Sequence, residues 1–324
     1  MSTAQPHGLH HVTAVAEAPQ RNVDFYCRVL GLRLVKQTVN FDAPGAYHLY
    51  YGDGAGRPSS LITFFAWRDV PRGRLGTGLA TATAFSIPEG SASWWRDHLR
   101  AQGVEADVTT RHGADVVAFR DPDGMVLELV TAAGDTRSGW DGVAGVPAEH
   151  ALRGLHAVTL TERALDPTAE VLTSLLGMGL DGEDGGRARF AMGDGGSGAL
   201  VDVHGTTSAE RGLQAGGTVH HVAFRAPDET ALARWRQGLV DAGLEATEVL
   251  DRKYFRSVYF REPGGVLFEI ATDAPGFDVD EPLLELGRRL QLPPWLEPDR
   301  EQIAAALPPL HVPDDQDAGL VPTD

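Results

Sequence analysis

One hexapeptide recurs along this chain and limits what it can fold into. Gly8-Leu9-His10-His11-Val12-Thr13 returns as Gly154-Leu155-His156-Ala157-Val158-Thr159, more loosely as Gly217-Thr218-Val219-His220-His221-Val222, and faintly between Gly78 and Thr83. Setting His11, Thr81, Ala157 and His221 at one equivalent position spaces the copies 70, 76 and 64 residues apart, so four units nearly fill the chain to Asp273. A fixed period of this size marks one supersecondary unit used repeatedly, each copy burying its apolar face against another.

The local signals keep the same order in each copy. In the first, a β-prone run over 9–15 precedes Pro19 and a stretch with Val23, Tyr26, Val29 and Leu30 at helical spacing, ended by Gly31 as a C-terminal cap. Three β-prone runs follow, around 33–41, 47–51 and 61–67, separated by Gly, Pro and Asp turns. The second copy predicts a helix over 91–102 and strands to Val130; the fourth predicts a helix over 228–242 and strands around 254–260 and 266–271. The third is Gly-rich and the most degraded. Strand, helix, three strands, four times over, is an α+β chain of four βαβββ modules.

The expected division is module 1 over 1–70, module 2 over 71–135, a linker over 136–153 with its Gly, Ser, Asp and Pro residues, module 3 over 154–210, module 4 over 211–274 and a C-terminal helical tail over 275–324. The tail predicts one helix from Asp280 with Leu283, Leu286 and Leu290 on one face, and a second near 299–307 between Pro298 and Pro308. The last residues, with Asp314, Asp315 and Asp317, read as solvated and frayed.

Composition removes several classes of partner. Lys and Arg number 28 against 45 Asp and Glu, a net charge of −17, which opposes both nucleic acid and anionic membrane surfaces. With 42% hydrophobic and 23% charged residues the chain is ordinary globular material. No run reaches membrane-spanning length, the first residues lack a basic and apolar leader, and the single Cys27 cannot form an intrachain disulfide. These features predict a cytoplasmic protein acting on small molecules, with a homo-oligomer left open.

Chemistry enters where the copies differ. Only the first and last carry an imidazole at the equivalent first-strand position, His11 and His221. Aligning the final strands puts Glu269 opposite Glu128 and Asp202, and roughly opposite Phe64. If modules 1 and 4 close one open mixed-sheet barrel and modules 2 and 3 another, the first holds His11, His221 and Glu269 and the second has no imidazole at those positions. Two imidazoles and one carboxylate are the facial triad that holds Fe(II) and leaves positions open. Strand alternation puts Thr13 on the His11 face and turns His10 and His220 away. Glu128 and Asp202 together form a weaker candidate for a second cation.

With the βαβββ repeats, His11, His221 and Glu269 resemble the vicinal oxygen chelate superfamily of glyoxalase I, bleomycin-resistance proteins and extradiol dioxygenases. Three stretches resemble its hydroquinone ring-cleaving dioxygenases in particular: residues 8–13, residues 251–265 (Asp251-Arg252-Lys253-Tyr254 through Gly265) and Leu292-Pro293-Pro294-Trp295. In catechol-cleaving relatives the ligands come from the third and fourth modules, an option that Ala157 removes here. The resemblance implies a non-haem Fe(II) enzyme that inserts both atoms of O2 into an aromatic diol, by 1,2-cleavage of a hydroquinone. Mn(II) suits the same donors, and Zn or Ni could occupy the site in a crystal. It further implies His10 and Tyr259 as catalytic groups and Thr13, His220 and Arg252 as substrate-binding ones. His48, which no pattern supports, reads as surface or core. The alternatives are a glyoxalase-like lyase or isomerase, whose fuller ligand set commonly has a second Glu where Phe64 stands, and a non-catalytic ligand-sequestering protein.

Overall fold

The computed structural model describes residues 6–140 and 145–313. Its first set of elements is β1 (Leu9–Ala16), α1 (Pro19–Val23), which continues as π-helical turns over Asp24–Val29, then β2 (Arg33–Asn40), β3 (Ala43–Gly52) and β4 (Leu61–Ala66). The second is β5 (Leu79–Ile87), α2 (Ala92–Ala101), β6 (Ala106–Arg111), β7 (Ala114–Arg120) and β8 (Val126–Thr131). The third is β9 (Gly154–Glu162), α3 (Asp166–Glu170) with π-helical turns over Val171–Leu175, β10 (Gly179–Asp184), β11 (Arg187–Ala191) and β12 (Leu200–Gly205). The fourth is β13 (Val219–Ala226), α4 (Glu229–Asp241), the short β14 (Leu250–Asp251), β15 (Phe255–Arg261) and β16 (Leu267–Pro275). Asp228 caps α4 by accepting from the Ala231 amide at 2.7 Å, and Gly31 takes the left-handed conformation (φ +69) its capping position requires.

The strands form two open, curled eight-stranded mixed sheets, ordered β14-β15-β16-β13-β1-β4-β3-β2 and β10-β11-β12-β9-β5-β8-β7-β6. The first and fourth sets thus share one half-barrel and the second and third the other, as the repeat predicts. Within each, two copies meet through one antiparallel central pair, β1 with β13 and β5 with β9. The helices cover one face, where Tyr26, Phe64, Trp95, Phe85, Phe224 and Phe268 lie in a single apolar cluster. The other face carries polar side chains among two smaller apolar clusters, one around Tyr50, Tyr254 and Phe255 and one around Val116, Ala157 and Leu200.

Each central pair is broken by two bulges, and these change the alignment read from sequence. On β1 the pairs Leu9↔Phe224 and His11↔Ala223 leave His10 as an extra residue; on β13 the pairs Thr13↔His221 and Ala14↔Val219 leave His220 as one. In the other sheet the extra residues are His156 and Thr81. Thr81 therefore corresponds to His220, and Ala82, not Thr81, stands at the His221 position. The parallel pairs Thr13↔Thr63 and Ala223↔Glu269 likewise put Thr63, not Phe64, opposite Glu269. Phe64 instead packs on the helix side, against Tyr26.

In the tail, α5 (Arg300–Ala306) forms where the second helix is predicted, but the first is reduced to one 3-10 turn at Leu283–Glu285. Asp280 and Glu281 are drawn onto the buried Lys36 ammonium, and Gly287 adopts φ +77, so no continuous helix can run through them. Asp314, Asp315 and Asp317 lie outside the described residues. No helix among the described residues is long and apolar enough to cross a membrane.

Candidate metal centre

Three central strands of the first half-barrel bring His11 (β1), His221 (β13) and Glu269 (β16) together as the one buried cluster of potential ligands among the described residues. His11 Nε2 lies 3.2 Å from His221 Nε2 and 3.2 Å from Glu269 Oε2, and His221 Nε2 lies 2.9 Å from the same oxygen. Three cis ligands about 2.1 Å from an octahedral ion stand about 3.0 Å apart, so this triangle has the size of such a face.

The hydrogen bonds around it fix which ring nitrogens carry protons. His10 Nε2 lies 3.2 Å from the Thr272 carbonyl, which can only accept, so that nitrogen is the donor. Neutral His10 then presents a lone pair at Nδ1, 2.9 Å from His11 Nδ1, which must donate to it. The proton of His11 is thereby held at Nδ1, and Nε2 is left as a lone pair facing Glu269. His220 repeats the contact on His221, Nδ1 to Nδ1 at 2.9 Å. Both oxygens of the fully buried Glu269 lack a hydrogen-bond partner. The His11 lone pair, the His221 Nε2 and the Glu269 carboxylate converge on one point, and a cation there satisfies all three. The residues present therefore fit a divalent metal.

Electrostatics agree. Burial and then the neighbouring charge of His11 push His10 down to about 3, and burial with His221 pushes His220 down to about 3. His221 is lowered by burial against the pull of Glu269. Burial opposes ionisation of Glu269, yet the positive charge that His11 and His221 carry when protonated outweighs it and holds the carboxyl well below the usual range, so the carboxylate ionises wherever a cation stands beside it. Neutral imidazoles and an ionised carboxylate are the forms that ligate.

The bulges also correct the expectation that His10 and His220 turn away. An extra residue breaks the alternation, so each pair sits on one face with rings edge to face, at centroid distances of 5.0 and 5.1 Å. With both nitrogens engaged by protein atoms, His10 acts on His11. Tyr259 pairs directly with Glu269 across β15 and β16, and its ring meets His221 edge on. Burial, then Glu269, raises its hydroxyl above the usual range, keeping it a proton donor. Arg252 lies over the Tyr259 ring at 5.2 Å and pairs with Asp42 at 3.1 Å. Thr13 shares the His11 side as expected, its hydroxyl 2.7 Å from Thr63.

Behind the threonines lies a relay that sequence reasoning missed. Thr63 Oγ1 meets His48 Nε2 at 2.9 Å, and Tyr50 meets His48 Nδ1 at 2.9 Å. Burial, followed by the charges of His11 and His221, drives His48 well below its ordinary value. His48 and Tyr50 alternate onto one face of β3, a pattern too common among strands to single them out. Phe255 packs on both His10 and His11.

The second half-barrel forms no such centre. At the equivalent positions stand Ala82 and Ala157, and the carboxylates are taken by arginines: Arg111 grips Glu128 at 2.7 and 3.0 Å, and Arg189 grips Asp202 at 2.7 and 2.9 Å. Glu128 and Asp202 are thus committed to guanidinium groups, and protein charge stands where the weaker candidate for a second cation lay.

Residues 8–129 and 154–270 match the model of the Glyoxalase/Bleomycin resistance protein/Dioxygenase superfamily. The chain is 43% identical over 303 residues to "Putative ring-cleaving dioxygenase MhqE" of Bacillus subtilis (strain 168), covering 94% of this chain and 99% of that protein. It is 36% identical over 306 residues to "Chlorohydroquinone/hydroquinone 1,2-dioxygenase" of Sphingobium indicum, covering 91% and 94%. A crystal structure from Bacillus subtilis subsp. subtilis str. 168, described as a putative dioxygenase, superposes with a TM-score of 0.91 at 39% identity, over 96% of this chain and 99% of that one. With a repeat that pairs first to fourth and second to third, and a family model matched across both half-barrels, this chain belongs to the glyoxalase, bleomycin resistance protein and dioxygenase superfamily.

Proposed function

We propose that this protein is an Fe(II)-dependent ring-cleaving dioxygenase that opens a hydroquinone by 1,2-cleavage and leaves both atoms of O2 in the product. The observation that carries the reading is the buried Glu269 carboxylate facing the Nε2 atoms of two imidazoles, that of His11 held as a lone pair; the relatives named for ring cleavage supply the reaction class. His11, His221 and Glu269 hold the metal. Iron bound there would supply Lewis acidity toward a phenolic oxygen and the redox chemistry with O2.

The chain's own groups do the rest. Tyr259, protonated and beside Glu269, anchors a substrate oxygen and donates to it. Arg252, stacked on Tyr259, places positive charge on the same side of the pocket. His10 holds His11 in the ligating tautomer, His220 braces His221 through the same Nδ1 contact, and Thr13 is bonded to Thr63 beside them. The catalytic roles of His10 and Tyr259 and the binding roles of Thr13, His220 and Arg252 are therefore assigned in two groups, those that touch substrate and those that position ligands. The partners are a small aromatic diol and O2, and the setting is the cytoplasm.

Anaerobic loading with Fe(II), followed by oxygen uptake with a panel of hydroquinones and catechols, tests this. Uptake with hydroquinones, and two labelled atoms in the ring-opened product from labelled O2, is expected. A fully loaded protein that consumes no oxygen with any of them overturns it, and oxygen-insensitive turnover with Zn or Ni would point to the lyase or isomerase reading.

A further inference from the structure

The face of the second half-barrel that corresponds to the metal centre carries three guanidinium groups around two buried carboxylates, with the less buried Asp184 near Arg111 and Arg189. Arg111 and Arg189 are each matched to one acid, Glu128 and Asp202. Arg187, two residues before Arg189 on β11 and so on the same face, has no carboxylate within ion-pair distance among the described residues and donates to Thr159 Oγ1 at 3.0 Å. Thr159 pairs with Asp202 across β9 and β12, as Thr13 pairs with Thr63 in the other half-barrel, so Arg187 reaches the heart of the face. It is half-buried, and burial followed by the charge of Arg111 weakens its hold on its proton, the condition of a cation short of an anion.

A second observation points the same way. His156, 8% exposed, donates to or accepts from Ser197 through Nδ1 at 2.8 Å, while its buried Nε2 has no partner. Its strongest charged neighbours are Arg189 and then Asp202, which places it beside the same cluster. The residues that would fill the face in the metal-binding copy are alanines here, Ala82 and Ala157. A guanidinium without an ion-pair partner and an orphaned imidazole, on a face where alanines replace the metal ligands, together make a receptor for an oxyanion.

We propose that the second half-barrel binds a small oxyanion, a carboxylate or a phosphate, on Arg187, with His156 at its flank. The site is separate from the metal centre and does not depend on the catalytic reading. Calorimetric titration of the full chain with acetate, benzoate and inorganic phosphate tests it and separates the two ligand sources. Saturable one-to-one binding is expected with at least one of them, retained in His221→Ala, where the metal centre is lost, and weakened at least tenfold in Arg187→Met. Arg187→Lys, which keeps the charge and the fold but loses the planar fork, should bind at least threefold more weakly than the parent. Absence of saturable binding in the parent chain, or equal affinity in both Arg187 variants, overturns the proposal.

Discussion

Glu269 sets the charge of the centre, and its replacement by Gln separates charge from shape. The amide brings N–H donors into a triangle otherwise made of lone pairs, so it can bond an imidazole Nε2 where a metal would stand. Glu269→Gln is expected to lower bound metal at least tenfold while the thermal midpoint of the metal-free protein holds or rises; metal analysis and a melting curve check both. His10→Phe tests the layer behind. It keeps an aromatic ring against Phe255 but removes the acceptor for His11 Nδ1, and metal affinity should fall about 10- to 100-fold, measured by competition with a chelator. The three ligands were legible because they sit at repeat-equivalent positions and the fourfold comparison singles them out. His48 was not, because its copies hold unrelated residues and a lone histidine in a β-prone run carries no distinguishing pattern.

At the scale of elements, the bulges and the tail strap are what sequence periodicity could not supply. Alternation assumes unbroken pairing, and one extra residue in β1 and one in β13 put His10 and His220 beside the ligands it had turned them away from. The tail strap escaped for a different reason: Leu283, Leu286 and Leu290 have helical spacing, but the segment is fixed by charge. Fully buried Lys36 on β2 donates to the Phe277 carbonyl at 3.1 Å and to Asp280 at 2.7 Å, and pairs with Glu281. Lys253, just after β14, holds the Leu292 carbonyl at 2.8 Å. Since β2 and β14 are the two edges of the sheet, the strap ties the open sides of the half-barrel together. Lys36→Met leaves two acidic groups without their shared cation and should destabilise by about 3 kcal/mol. The local consequence is cleavage near the exposed Leu283 and Leu284 before global unfolding, visible by limited proteolysis. Cleavage at the same rate as in the parent would show that the strap is held by something else.

At the scale of the molecule, the two half-barrels are joined by reciprocal turns. The β7–β8 turn reaches the first set of elements, where Tyr26 donates to Asp121 at 3.1 Å and the Glu17 amide to Asp123 at 3.0 Å. The β15–β16 turn reaches the third, where Thr168 donates to Glu262 at 2.7 Å. At this second junction Glu262 also accepts from the amides of Gly264 and Val266, each at 2.8 Å. Glu162, buried beside it with Oε1 unpartnered, cannot ionise as easily, and burial followed by the Glu262 charge pushes it up to about 8. The folded protein therefore keeps a proton that the unfolded chain releases near its ordinary 4.5. Between those values the native state binds more protons than the unfolded one, so this stabilising contribution is complete below about pH 4.5 and is lost as pH rises through about 8. Glu162→Gln mimics the protonated carboxyl at every pH. Its melting temperature should exceed that of the parent by about 3 °C or more at pH 9, with the difference shrinking steadily toward pH 5. Parallel melting curves across that range would mean that the junction carries no proton of its own, and that the half-barrels are coupled by packing alone.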